Sequence, residues 1–298
     1  MRRVLVERLL EGGHFFEGAR WRDGHWWVSD LYAHHVLRIA PDGSSQVVAR
    51  LDCQPSGLGW LPDGRLLIVA MQDFRILRLE GNGTLVTHAD LRDHVGFWPN
   101  DMVVARKGYA YVSNLGFNMW VGDKPEPADL ICVAPDGSVT KVADNLLFPN
   151  GMVVTPDGKT LVVAETFGNR MSAFSIGDNG VLSNRRLFAE FGPPPSWASV
   201  HDFVKEDFGP DGCAVDAEGC VWVADALHNR ICRVADGGQI LEELRTPENF
   251  GIYSCALGGS DGHSLLLCAA PDYAEEARKA KAEAVLYVKH VAVPAAVF

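Results

Sequence analysis

Six copies of one short pattern run along the chain, and this repetition restricts the fold more than any other feature. Each copy is an apolar run, a turn built on Asp-Gly or a relative, a second apolar run, a connection, and a third run that ends in another turn. The steps between copies average about 47 residues. The first positions of the six copies are Glu17, Ser56, Asn100, Asn150, Asp211 and Tyr253.

Short strands, Gly-rich turns and a period of about 40 to 60 residues are typical of a β-propeller. The repeats predict an all-β, six-bladed β-propeller that occupies residues 1–298 as a single domain, because a seventh copy does not fit. Strand-like residues 4–6 precede the first full repeat. We therefore expect an N-terminal strand to pair with the last blade and close the ring, which removes an open sheet edge.

Two segments interrupt the repeats. The step from Asn150 to Asp211 is 61 residues long because it contains an insertion at 191–210. Loops of that length are more often functional or disordered than structural, and the role of this one is left open. The second segment, Tyr273–Ala284, has high helix propensity and a Glu275/Lys279 pair four residues apart. It predicts a solvated helix, with an oligomer contact as the alternative.

Charge and cysteine content restrict the partners and the compartment. The net charge of −11, from 27 basic and 38 acidic residues, argues against nucleic acid. No apolar run reaches the roughly 20 residues that span a bilayer, so we expect no membrane partner. The seven cysteines are scattered without a C-x-x-C pair, which favours buried thiols over disulfides or a zinc site. We expect a cytoplasmic protein.

The first positions of the six copies carry the most chemical information. One position in a propeller repeat lies at one height around the axis, so these six residues should converge at one mouth of the central channel. All six are polar, and together they supply two carboxylates, two carboxamides and two hydroxyls. We call this set the oxygen ring. Its members are Glu17, Ser56, Asn100, Asn150, Asp211 and Tyr253.

An oxygen-only donor set predicts a hard cation. Calcium takes six to eight oxygen ligands from carboxylates, amide carbonyls and water, whereas zinc prefers His or Cys, and the oxygen ring contains neither. We expect Ca²⁺ as the cofactor, with Mg²⁺, Mn²⁺ or Zn²⁺ as substitutes. The alternative is that these polar side chains only hydrogen-bond trapped water.

Four segments that contain members of the oxygen ring resemble the motifs of the senescence marker protein (regucalcin), gluconolactonase and luciferin-regenerating enzyme family. They are Glu17-Gly-Ala-Arg-Trp, Trp98-Pro-Asn-Asp, Phe148-Pro-Asn-Gly and Pro210-Asp-Gly. The resemblance covers nearly the whole chain. It implies a six-bladed propeller with one catalytic divalent cation on the axis, and in many members lactone hydrolysis.

The same resemblance implies roles for individual residues. Glu17, Asn150 and Asp211 would hold the metal directly, and Asn100 would hold it directly or through water and contact the substrate. Regucalcin has a basic residue two positions before the counterpart of Asn100, where it helps to hold a sugar lactone. Trp98 occupies that position here, and an aromatic side chain favours an apolar or planar substrate face.

The function predicted from these observations is a calcium-dependent lactonase whose cation activates water and polarises the lactone carbonyl. Asp211 is our candidate general base, and Asn100 is assigned to both catalysis and substrate binding. An aspartate nucleophile that forms an acyl-enzyme and Glu17 as the base are the competing assignments. Trp98, Ser56 and Tyr253 complete the predicted substrate-binding set.

Three alternative functions remain at this point. The same metal site could attack an organophosphate or aryl ester instead of a lactone. A non-enzymatic binding propeller is suggested by His228-Asn-Arg-Ile, which resembles the connection of NHL repeats. The acidic charge and the oxygen ring argue against this second alternative. A carbon-nitrogen condensing enzyme such as strictosidine synthase shares the propeller but lacks this metal set.

Overall fold

The structure, a computed structural model, describes residues 6–193, 196 and 198–296. Within these residues the strands form six four-stranded antiparallel sheets, which confirms the predicted all-β, six-bladed propeller. Blade one contains β2 (Phe16–Arg22), β3 (His25–Asp30), β4 (His35–Ile39) and β5 (Ser45–Arg50). Blade two contains β6 (Pro55–Trp60), β7 (Leu66–Ala70), β8 (Arg75–Leu79) and β9 (Leu85–Asp90). Blade three contains β10 (Pro99–Val104), β11 (Ala110–Asn114), β12 (Ala128–Val133) and β13 (Val139–Leu146).

Blades four to six follow the same order from the channel outwards. Blade four contains β14 (Pro149–Val154), β15 (Thr160–Glu165), β16 (Arg170–Ile176) and β17 (Leu182–Glu190). Blade five contains β18 (Pro210–Val215), β19 (Val221–Asp225), β20 (Arg230–Val234) and β21 (Ile240–Leu244). Blade six contains β22 (Gly251–Gly258), β23 (Ser264–Ala270), β24 (Ala284–His290) and the N-terminal β1 (Glu7–Gly13). Each blade packs its apolar faces against its neighbours. All seven cysteines are free and buried, as the sequence predicted.

The ring closes as predicted, because β1 is the outermost strand of the sixth blade. It pairs antiparallel with β24, with Glu7 opposite Val288 and Arg8 opposite Tyr287. Within the described residues, this closing strand begins at Glu7. Val6 lies just before it, and residues 4 and 5 lie outside the described part of the chain.

The innermost strands approach one another closely around the axis. A Cβ atom added to Gly151 in β14 would lie 2.4 Å from the backbone oxygen of Asp211 in β18. One added to Gly212 would lie 2.6 Å from the Cα of Ser254 in β22. Backbone contacts of this kind leave no room for a side chain. Glycine at these positions therefore sets the diameter of the channel and brings neighbouring blades together next to the oxygen ring.

The two segments that interrupt the repeats each contain a short helix. Helix α1 covers Glu275–Ala280, and its Lys279 pairs with Glu275 at 2.6 Å as the spacing predicted. Most of the helix is solvated as predicted, but the Arg278 side chain is buried and pairs with Asp272 and Glu283. Among the described residues, no helix is long and apolar enough to cross a membrane.

The insertion at 191–210 contains a short 3-10 helix at Val200–Lys205. Its Phe203 is buried, and the ring stacks on Phe167 with a centroid separation of 4.0 Å and an interplanar angle of 1°. This contact fixes the insertion to blade four. Residues 194, 195 and 197 of the insertion lie outside the described ranges.

We predict that Gly151→Ala destabilises the protein by about 1–3 kcal/mol, because the added methyl group would overlap a backbone atom of the adjacent blade. Urea unfolding measures the change. Gly81→Ala is the matched control, since a Cβ atom there has open space within 4 Å. Equal stability of the two variants would contradict the close packing described here.

Candidate active site in the axial channel

The structure places the oxygen ring at the beginning of the six innermost strands, where each of these strands contacts its two neighbours. Asn150 and Asp211 are buried, whereas Glu17 and Asn100 keep part of their surface exposed. The ring is therefore enclosed on the side of blades four and five. It is open to solvent on the side of blades one and three, which is where a substrate would have access.

A chain of hydrogen bonds runs around the oxygen ring from blade two to blade five, and each group in it donates to the next. The Ser56 hydroxyl donates to Asn100 Oδ1 at 3.0 Å, and Asn100 Nδ2 donates to Asn150 Oδ1 at 2.8 Å. Asn150 Nδ2 then donates to Thr166 Oγ1 at 3.1 Å, and the Thr166 hydroxyl donates to the carbonyl of Pro210 at 2.8 Å. This relay sets the orientation of both carboxamides. Each carboxamide oxygen accepts one bond and has a second lone pair available.

Asp211 carries the unpaired group of the site. Its Oδ1 atom is buried and has no hydrogen-bond partner among the described residues. Burial and the nearby charge of Asp101 raise the pKa of the Asp211 carboxyl well above its usual range, and the Gly212 N–H and the Asn150 side chain partly oppose this. Burial also raises the pKa of Glu17, followed by repulsion from Asp211 and Asp101. The two carboxyl groups are therefore close enough to destabilise each other's charge.

An ion pair that the sequence analysis missed lies beside the ring. Asp101 follows Asn100 directly, and its Oδ1 accepts from Arg20 at 3.0 Å. The guanidinium of Arg20 also donates to the carbonyls of Ala19 and Met102. The neighbourhood thus contains three carboxyl groups, those of Glu17, Asp101 and Asp211, against one guanidinium. With all three ionised, the excess of two negative charges matches a dication.

Buried carboxylates at the ends of the second strands hold the segments that lead into the ring. Asp30 accepts the Phe15 N–H at 3.1 Å, Glu165 accepts the Leu147 N–H at 2.9 Å, and Asp225 accepts the Gly209 N–H at 3.0 Å. Each of these amides lies two or three residues before a ring residue. The sequence signal was an acidic residue at the end of the second apolar run of three copies, which the sequence analysis did not interpret.

The segment that resembles an NHL connection has an internal role. Arg230 Nε donates to Asp225 Oδ2 at 2.7 Å, and His228 Nδ1 lies 3.0 Å from the same atom. These residues therefore orient the carboxylate that positions Gly209 and, through it, Asp211.

The three residues predicted only for substrate binding lie in different environments. Ser56 is buried, and its hydroxyl begins the relay. Tyr253 is also buried, with its ring 4.7 Å from that of Phe15. Trp98 is half-buried and lies two residues before Asn100. Of the three, Trp98 has the surface that a substrate could reach directly.

A cavity of about 460 Å³ opens at the other end of the channel. It is lined by later residues of the innermost strands, such as Trp60 and Val154, and by Ala295 and Ala296 near the end of the chain. No member of the oxygen ring lines it, so this cavity is separate from the candidate site.

The donor set fits a hard dication. No cluster of three or more His, Cys, Asp or Glu side chains able to hold a metal is found in the described ranges. The proposed ligands, however, are two carboxylates and two carboxamides, and such a mixed oxygen set suits calcium. The buried, unpaired Asp211 Oδ1 and the excess negative charge both support the fit.

Comparison with known proteins agrees with the fold. The family model described as SMP-30/Gluconolactonase/LRE-like region matches residues 15–271. A curated relative, lactonase drp35 of Staphylococcus aureus (strain bovine RF122 / ET3-1), is 24% identical over 252 residues, which cover 82% of this chain and 70% of the relative. At the level of the family, these matches support lactone hydrolysis.

Two solved structures share the fold. A luciferin-regenerating enzyme superimposes with a TM-score of 0.79 at 18% identity, over 98% of this chain and 97% of that one. A protein from Agrobacterium tumefaciens, described as the calcium-binding protein regucalcin, gives a TM-score of 0.74 at 22% identity, over 99% and 98% of the two chains.

We predict that Glu165→Gln weakens the dependence of stability on acidic pH. Burial by itself would raise the pKa of Glu165, but hydrogen bonds and charge from Arg170, with Ser172 and the Leu147 N–H, lower it. A lowered folded-state pKa stabilises the protein above the unfolded value of about 4.3, and this stabilisation is lost as the pH falls through the folded-state pKa.

Urea unfolding between pH 7 and pH 3 tests this prediction. The wild-type protein should lose more stability over this range than Glu165→Gln. Glu276→Gln, at a side chain that is 92% exposed, controls for the loss of one charge. Parallel pH profiles for the wild type and Glu165→Gln would contradict the prediction.

Proposed function

Because the chain belongs to the SMP-30/gluconolactonase/LRE-like family, we propose that it is a metal-dependent lactonase whose active site is the oxygen ring. The observation that carries the proposal is the buried, unpaired Oδ1 of Asp211 next to the oriented carboxamide of Asn150. The relative described as a lactonase supports the reaction type. The solved relative described as calcium-binding supports the choice of metal.

Glu17, Asn150 and Asp211 would hold the dication directly, and Asn100 would hold it directly or through water. Calcium is the proposed metal, with Mg²⁺, Mn²⁺ or Zn²⁺ as substitutes, because every available donor is an oxygen atom. When bound, the cation supplies Lewis acidity toward the lactone carbonyl and lowers the pKa of water. The Arg20–Asp101 pair limits the negative charge that surrounds these ligands.

Asp211 is the proposed general base. One oxygen of its carboxylate would contact the dication, and the other would accept a proton from water as the water oxygen bonds to the carbonyl carbon. The C–O bond within the lactone ring then breaks, and the lactone oxygen that leaves takes that proton to give a hydroxy acid. Asn100 uses one of its two amide protons in the relay, so the other can donate to a substrate oxygen at the exposed side of the ring.

We predict that the protein hydrolyses lactones with Ca²⁺ and that EDTA abolishes the activity. Calcium at one hundred times its dissociation constant should raise the free energy of unfolding by about 2.7 kcal/mol. Glu17→Ala removes a proposed ligand and should lose both effects. Glu11→Ala, at a side chain that is 67% exposed, is the matched control and should retain both.

The assay compares a panel of lactones with an aryl ester and a p-nitrophenyl phosphotriester, each with Ca²⁺ and with EDTA. Faster turnover of the phosphotriester would replace the lactonase assignment with a phosphotriesterase. Hydrolysis that EDTA leaves unchanged would rule out the metal-dependent site.

We predict that Asp211→Asn lowers kcat by at least about 100-fold, because general base catalysis typically contributes a factor of 10²–10⁴. Calorimetric titration with Ca²⁺ separates loss of the base from loss of the metal, since Asn retains a carbonyl ligand. Turnover near the wild-type level in a variant that still binds Ca²⁺ would exclude Asp211 as the base. Glu17 would then be the next candidate.

A further inference from the structure

Three aromatic rings lie at the end of blade three where β10 and its oxygen-ring residue begin, because two of them precede β10 and the third lies in the connection that follows β11. The rings of Phe97 and Trp98 stack with a centroid separation of 4.7 Å and an interplanar angle of 22°. The ring of Trp120 lies 5.1 Å from that of Trp98 and 6.1 Å from that of Phe97. We call Phe97, Trp98 and Trp120 the aromatic wall. Only Pro99 separates the wall from Asn100 along the chain.

Trp120 is exposed although its backbone is fixed. It lies in a short 3-10 helix, Met119–Val121, within the connection between β11 and β12. The Asn118 side chain accepts the Trp120 N–H at 3.1 Å, and Gly122 ends the helix in the left-handed conformation, with φ 76°. The residue is nevertheless 49% exposed. Ligand pockets typically combine large apolar side chains with a few polar groups, and Trp120 is a large apolar side chain open to solvent at the end of blade three that carries Asn100.

The aromatic wall offers few hydrogen-bonding groups to a substrate. The Phe97 side chain has none, and the Trp98 and Trp120 side chains each have a single N–H donor. A lactone ring that carries many hydroxyl groups would lose its hydrogen bonds to water on packing against the wall and find few protein partners in return. An apolar ring has no such requirement and could pack against the exposed face of Trp120.

We propose that the aromatic wall binds the apolar part of the substrate and makes this site selective for lactones fused to an aromatic ring over sugar lactones. This proposal rests on the proposed lactonase function. Trp98 and Trp120 act as specificity-determining residues. Asn100 follows the wall closely along the chain, so the aromatic ring of the substrate would lie beside the residue that contacts its lactone end.

The test compares three six-membered lactones: δ-valerolactone, its benzo-fused counterpart dihydrocoumarin, and glucono-δ-lactone. Because the intrinsic reactivity of the three differs, the decisive quantity is the effect of a variant on each kcat/KM. Trp120→Ala should lower kcat/KM for dihydrocoumarin about tenfold and leave that for δ-valerolactone within about twofold. Trp120→Phe should restore most of the loss. Wild-type kcat/KM should be lowest for glucono-δ-lactone.

Trp60→Ala is the matched control. Trp60 lines the cavity at the other end of the channel, where its ring lies 5.3 Å from that of Trp27. Its removal should leave the ratio of kcat/KM values for dihydrocoumarin and δ-valerolactone unchanged. If Trp120→Ala lowers kcat/KM equally for all three lactones, or if glucono-δ-lactone is the best substrate, the proposed selectivity is wrong while the lactonase function stands.

Binding of the products separates this proposal from the proposed function. Calorimetry should show that 3-(2-hydroxyphenyl)propanoate binds more tightly than 5-hydroxypentanoate, and that Trp120→Ala removes the difference. This result would support the aromatic wall even if no lactone were hydrolysed. Equal binding of the two products to the wild-type protein would overturn the proposal.

Discussion

The close approach of the six innermost strands is the constraint on which the rest of the site depends. At Gly151 and Gly212 a backbone lies where a side chain would otherwise stand, so neighbouring blades meet without a layer of side chains between them. Residues from distant parts of the sequence can then form direct hydrogen bonds across blades. The bond from Asn100 to Asn150 joins residues fifty positions apart. With wider spacing, the same polar residues would be separate groups bonded to water.

This geometry has an electrostatic consequence. Carboxyl groups brought together in a narrow channel lose hydration and repel one another, which raises the pKa values of Glu17 and Asp211. Arg20 offsets one negative charge through Asp101. The two negative charges that remain are the reason that a dication suits the oxygen ring. Carboxylates at the strand ends, such as Glu165 and Asp225, keep the segments that lead into the ring in place.

The fold and the members of the oxygen ring could be predicted because both follow from the register of the repeats. The same register says nothing about contacts that only one blade makes. Asp101 occupies a position where four other copies have glycine, and its partner Arg20 is 81 residues away, so periodicity could not connect them. Arg278 lay within a segment whose helix was predicted correctly. Its burial depends on tertiary contacts with Asp272 and Glu283, which helix propensity does not report.

We propose that one dication binds on the propeller axis in contact with the oxygen ring. Anomalous diffraction from crystals grown with calcium would locate it. We expect a single calcium peak on the axis, about 2.3–2.6 Å from oxygen atoms of Glu17, Asn150 and Asp211. An oxygen ring without calcium in such crystals, or calcium bound only elsewhere, would contradict it.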